Sequence, residues 1–151
     1  MSAGKSTLAV ALAARPGTIL VREDPWLAGL YPGEQTTLAD CVRNSRRLRG
    51  VMGPHLVALL RAGLSVVLDF PANTPESRAW MRTIVQEAEA AHQLHELEAD
   101  DALCKARLRR RNAAGAHEFT VSDDEFDLFT RFFVPPAAEE GFTVAHHPQD
   151  D

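Results

Sequence analysis

Short apolar runs alternate with helical stretches along this chain, and that alternation admits few folds. Thr18-Ile19-Leu20-Val21 and Leu64-Ser65-Val66-Val67-Leu68-Asp69 read as buried strands, because continuous apolar, β-branched runs of this length suit a sheet covered on its faces. A third strand is expected to begin near Gln93 and carry His95 to Glu98, and Phe142 to Ala145 reads as a last short one. Between them fall helices over residues 5–14, about 37–62, from Thr74-Pro75 to about Ala91, from Asp100 or Asp101 to about Asn112, and 123–132. Gly53-Pro54 is expected to break the second of these in two, since proline removes an amide donor and crowds the preceding turn. Thr37 with Asp40, Thr74 before Pro75, and Ser122 with Glu125 supply helix-starting caps. Strands alternating with helices predict an α/β fold on a mainly parallel sheet, as one domain over residues 1–151.

Composition narrows the function. A chain of 151 residues can bury one ordinary core. Sixteen basic against 21 acidic residues give a net charge of −5, which argues against a protein that coats double-stranded nucleic acid or an anionic membrane. No apolar run approaches the ~20 residues that cross a bilayer. Cys41 and Cys104 have no metal-type spacing and read as reduced thiols in a cytoplasmic protein. A rival reading takes residues 1–14 as a signal peptide of an exported domain, on the strength of Lys5 and the apolar run Leu8–Ala14. It leaves Gly4-Lys5-Ser6-Thr7 unexplained.

Those four residues carry the chemistry. They match the last part of the phosphate-binding pattern G-x-x-x-x-G-K-[ST], with Met1 falling on its third position. The start of a helix offers unpaired N–H groups and a positive dipole end to a polyphosphate. Gly4 allows close backbone approach, with Ala3 before it and Thr7 closing the motif against the nucleotide; Lys5 reaches the β/γ-phosphates, and the Ser6 hydroxyl holds Mg²⁺. Asp24 follows one strand and Asp69 ends another, and in an open parallel sheet ligands gather at such carboxyl ends. Asp24 is the candidate base for an attacking hydroxyl, and Asp69 supports the metal. In Arg107-Leu108-Arg109-Arg110-Arg111, residues 107, 110 and 111 can share one helix face and close over a transferring phosphoryl group, with Arg109 pointing elsewhere. Trp26 could stack on a substrate or fill the core. Phe126, Phe129, Phe132 and Phe133 follow helical spacing and read as core or as a wall beside a base. His92, His95 and Cys104 match no standard zinc set, His146-His147 reads as solvated, and the tail His147 to Asp151 reads as frayed.

Taken together, GKSTLA, the RED tripeptide after a strand, VVLDFPANTPESRAW and CKARLRRRN resemble the P-loop kinases of the zeta-toxin, chloramphenicol-phosphotransferase and polynucleotide-kinase type, and bacterial AAA-like ATP-binding proteins. The resemblance implies a P-loop NTPase three-layer sandwich with strand order 2-3-1-4-5. It implies ATP held by residues 4–7 and Arg110, Mg²⁺ at Ser6 and Asp69, and Asp24, Lys5, Arg107 and Arg111 acting on the transferring group. It also implies a lid over about 104–120, and Asn73 and Arg78 near the site of a small hydroxyl-bearing acceptor. A non-catalytic nucleotide-binding module is the alternative. The first strand of that sheet and the first part of its loop have no counterpart here, so Met1 is expected to be an internal methionine. A separation is expected where the central strand would lie, because its buried neighbours would lose their ladder partners.

Overall fold

The computed structural model describes residues 4–98, 100–115 and 121–148. In order, the elements are α1 Lys5–Ala13, β1 Thr18–Arg22, α2 Glu23–Leu30, α3 Leu38–Arg61, β2 Ser65–Asp69, α4 Pro75–Ala88, β3 Leu94–Glu98, α5 Asp101–Ala114, α6 Asp123–Arg131 and β4 Val144–Pro148. A short 3₁₀ turn, Ala138–Glu140, precedes β4. The result is a mixed α/β architecture with parallel strands, as expected of a P-loop NTPase-like fold.

The strands form two pairs. β1 and β2 run parallel in the register Thr18↔Ser65 to Arg22↔Asp69, and β3 and β4 run parallel from Leu94↔Val144 to Glu98↔Pro148. Among the described residues no ladder joins β2 to β3. A strand with one neighbour keeps an open edge, and the burial reflects this. Val66, Val67 and Leu68 are half-buried rather than enclosed, and Ile19 is exposed, where the apolar runs alone predict full burial.

Several helix boundaries follow from local chemistry. Thr37, Thr74 and Ser122 each accept the N–H three residues on, from Asp40, Ser77 and Glu125 respectively, and each completes a reciprocal capping box. Hydrogen bonds from Thr37 and then Arg43 hold the Asp40 carboxyl down to about 2. Asp100, rather than Asp101, caps α5.

Other boundaries overturn the sequence reading. α3 is one helix across Gly53-Pro54. An interior proline costs about 3 kcal/mol. Burial of Leu48, Met52, Leu56 and Val57, at about 1.5–3 kcal/mol each, outweighs it. Gly50 and Gly53 help: position 50 is the residue whose carbonyl a proline at 54 leaves without a donor, and a Cβ on Gly53 would stand 3.4 Å from Trp80 Nε1 of α4. α4 ends at Ala88 because Glu89 turns left-handed. α5 continues through Ala114 to a left-handed Gly115. β4 begins two residues later than expected and includes His147, so that histidine belongs to a strand rather than a frayed tail; residues 149–151 lie outside the described ones.

The main core joins Val21 and Leu27 to Leu48, Met52, Leu56 and Val57 of α3, Phe70, and Met81 and Ile84 of α4. A smaller cluster of Cys104, Leu108 and Phe126, with Val121 against it, holds α5 on α6. Among the described residues no helix is long and apolar enough to cross a membrane.

Candidate functional site

The start of α1 and the end of β2 meet at one carboxylate. Gly4 precedes α1 with φ 93°, a left-handed conformation that glycine adopts without the Cβ clash. No side chain caps this helix, and its hydrogen-bond ladder opens with the Leu8 N–H donating to the Gly4 carbonyl at 3.1 Å. The N–H groups of the first turn therefore face outward at the positive end of the dipole. α1 packs on β1 and β2, so its N-terminus lies by the carboxyl ends of those strands.

Asp69 is the last residue of β2 and only 5% exposed. The Lys5 ammonium donates to its Oδ1, Arg22 Nε lies 3.4 Å from Oδ2, and the Ser6 side chain is near enough to favour the charged form of the same carboxylate. Arg22 comes within reach because the ladder sets it directly opposite Asp69. Burial pushes the Asp69 pKa up, but the Lys5 hydrogen bond and charge, with Ser6 and Arg22, outweigh it and hold the group below its ordinary value. Lys5 remains half-exposed, so the ammonium bridges solvent and a buried anion.

Beside this cluster lies a second buried carboxylate that the sequence reading passed over. Glu23 opens α2 and is almost wholly enclosed. Its Oε1 accepts the Ser45 hydroxyl at 2.5 Å and Arg49 Nε at 3.3 Å. Arg49 also reaches the Pro71 carbonyl at 3.3 Å and stacks over Trp80, 5.3 Å from the ring centroid. The signal available in the sequence was Ser45 and Arg49 one turn apart on a helix otherwise coated with arginine. Asn44, next to Ser45, is fully buried with neither amide atom paired among the described residues.

Asp24 lies in the first turn of α2, where the sequence predicts a loop. Pro25 does not prevent a helix there, because a first-turn residue has no intrahelical N–H bond to lose. Asp24 is half-buried and has an interaction partner, two residues beyond the Arg22–Asp69 rung. Thr7 is exposed on α1, and Ala3 lies outside the described residues.

The basic helix is not gathered around Asp69. Among the described residues, the partners of Asp69 come from α1 and β1. Arg107 and Arg111 are half-buried and Arg110 is exposed on α5. Arg111 Nε is a buried donor with no partner among the described residues. Arg109, read as pointing elsewhere, pairs with Asp123 of α6, and Lys105 pairs with Asp127 at 2.7 Å. These contacts follow from α5 folding back on α6, and residues 116–120 of the expected lid lie outside the described residues.

Arg78, expected near the acceptor site, is turned onto the protein's own acceptors. It is 0% exposed and donates to both carboxylate oxygens of Glu140 at 2.6 and 2.8 Å and to the carbonyls of Ala72 and Val134 at 2.8 Å each. A buried guanidinium needs this many acceptors to offset its lost hydration. Asn73 is exposed, and its carbonyl accepts the Val134 N–H at 2.9 Å. Trp26 is exposed and does not fill the core; of the four phenylalanines only Phe126 is buried.

Compared with known proteins, the model of one family, described as an AAA domain, matches residues 1–136. No curated protein matches the chain.

Proposed function

This chain belongs to the AAA domain family, a P-loop nucleotide-binding class, and from that premise we propose that it is an ATP-dependent phosphotransferase acting on a small hydroxyl-bearing acceptor. The observation that carries the reading is the convergence of Lys5 and Ser6 from the head of one helix on the buried Asp69 that ends the neighbouring strand. A lysine, a hydroxyl and a carboxylate at the carboxyl edge of parallel strands are the parts that handle Mg²⁺ and a triphosphate.

The donor set fits Mg²⁺. Ser6 and Asp69 offer hard oxygens, and such an ion takes one or two protein groups and completes its shell with phosphates and water. Bound there, it would neutralise charge on the β- and γ-phosphates. The backbone N–H groups at residues 5–7 bind the polyphosphate, and Lys5 exchanges Asp69 for phosphate oxygen. Its half-exposed position makes that exchange feasible. The acceptor hydroxyl attacks the γ-phosphorus, the bond to the β,γ-bridging oxygen breaks to release ADP, and the proton passes to the Asp24 carboxylate. Arg107, Arg110 and Arg111 of α5 are the groups assigned to close on the transferring phosphates. Free Cys41 and Cys104 suit a reducing, cytoplasmic setting.

Titration with a fluorescent ATP analogue, with and without Mg²⁺, tests the binding half. Lys5→Met is expected to weaken binding by about 10- to 100-fold, or roughly 1.4–2.8 kcal/mol. Turnover of ATP that rises on addition of a metabolite pool tests the transfer half. Asp24→Asn is expected to abolish that rise and spare binding. Binding without turnover on any pool would assign the chain to the non-catalytic alternative.

A further inference from the structure

A second cluster of ligating groups lies on the β3–β4 pair and shares no residue with the Asp69 site. The ladder sets Glu96 opposite His146, and the two-residue alternation of a strand returns Glu98 to the same face. His146 Nδ1 lies 3.1 Å from Glu96 Oε2 and 3.1 Å from Glu98 Oε1. One ligand atom from each of the three residues falls within 4.8 Å of the others, and this is the one such group among the described residues.

The opposite face of the same pair is built differently. There His95 Nδ1 and His147 Nε2 are 2.8 Å apart and bond each other. On the acidic face two carboxylates converge on one imidazole, whose Nδ1 bonds Glu98 Oε1, and two like charges held together favour a cation between them.

We propose that Glu96, Glu98 and His146 form a binding site for a divalent transition-metal ion of the Zn²⁺ class. The donor types fit. One imidazole nitrogen with two carboxylate oxygens suits zinc, whereas sites for calcium or magnesium are built from oxygen alone. The spacing fits as well. Ligands about 2.1 Å from a tetrahedral ion stand roughly 3.4 Å from one another, so the 3.1 Å contacts need to open by only a few tenths of an ångström. Three protein ligands leave a fourth position for water. The ion joins β3 to β4, a pair with a single ladder, and so pins the last described strand to the body of the protein.

The test uses the full chain stripped with a chelator and titrated with ZnCl₂ by calorimetry and with CoCl₂ by visible absorption. Saturable 1:1 binding is expected, with the intense d–d bands of four-coordinate Co²⁺. His146→Ala and, separately, Glu98→Gln should each weaken binding by at least about tenfold. Both side chains are more than half exposed, at 59% and 58%, so the variants should keep the fold, as circular dichroism checks. His55→Ala, which alters an exposed histidine on α3, should leave the titration unchanged. Absence of saturable binding overturns the site. So does binding that survives His146→Ala, which would place the ion on other groups.

Discussion

The part of the molecule built on β1 and β2 and the α5–α6 hairpin use charge in opposite ways. In the first, Asp69, Glu23 and Arg78 are buried, each with several partners, inside or against the main apolar cluster. In the second, Lys105–Asp127 and Arg109–Asp123 lie across the surface of a core made from Cys104, Leu108 and Phe126. Buried ions demand fixed partners, because an unpaired one costs several kcal/mol; exposed pairs are screened by water and hold little. Dense apolar packing is what lets the first region keep polar groups in fixed places. The hairpin has too little of it to do the same, and should open locally while the rest stays folded.

The largest expected effect is at Arg78. Arg78→Ala takes the guanidinium donor from Glu140 and from the carbonyls of Ala72 and Val134, leaving Glu140 only the Ala137 N–H, and urea unfolding should show a loss of about 3–5 kcal/mol. A loss no larger than that of a surface substitution would show that the Arg78–Glu140 pair does not hold the fold together.

Two truncations of one kind separate the regions next. Leu56→Ala, in the main core, should lower global stability by about 2–5 kcal/mol. Leu108→Ala, equally buried, should act locally: amide exchange should speed up in α5 and α6 and stay slow in α3. Equal loss of protection in α3 would show the hairpin to be one cooperative unit with the rest.

Ser122→Ala removes the cap of α6 and should cost about 1 kcal/mol, again read as faster exchange confined to the hairpin.

The smallest effect is in acid. The folded Asp69 pKa lies below 3.8, so as pH falls the unfolded chain takes up the proton first. Its contribution is present above the unfolded value and is lost as pH drops through the folded one. Asp123, held down by its hydrogen bond to Arg109, follows the same sign. Salt distinguishes them: at 1 M the screening length is about 3 Å, which should erase the exposed Asp123 contribution and leave most of that from enclosed Asp69. Acid unfolding curves of Asp69→Asn and Asp123→Asn at low and high salt give the comparison.

What could be read from the sequence was the local part. Each capping box links residues three apart, the strand runs carry their own pattern, and GKST announces itself at the head of a helix, so most elements were legible before any fold was known, with α2, read as a loop, the exception. The place of Asp69 at the end of a strand was legible too, from the apolar run before it. Tertiary structure decided the partners. Lys5 and Asp69 are 64 residues apart, and Arg78 and Glu140 are 62 apart, so nothing near Arg78 says whether its guanidinium meets a ligand or a distant carboxylate of the same chain. Pro54 ran the same way, since its local cost was outweighed by packing on α4. The physical reason is one of range: hydrogen bonds within a turn depend on neighbours in the chain, whereas burial, and the pairing that burial forces on a charge, depends on which distant surfaces the apolar core brings together.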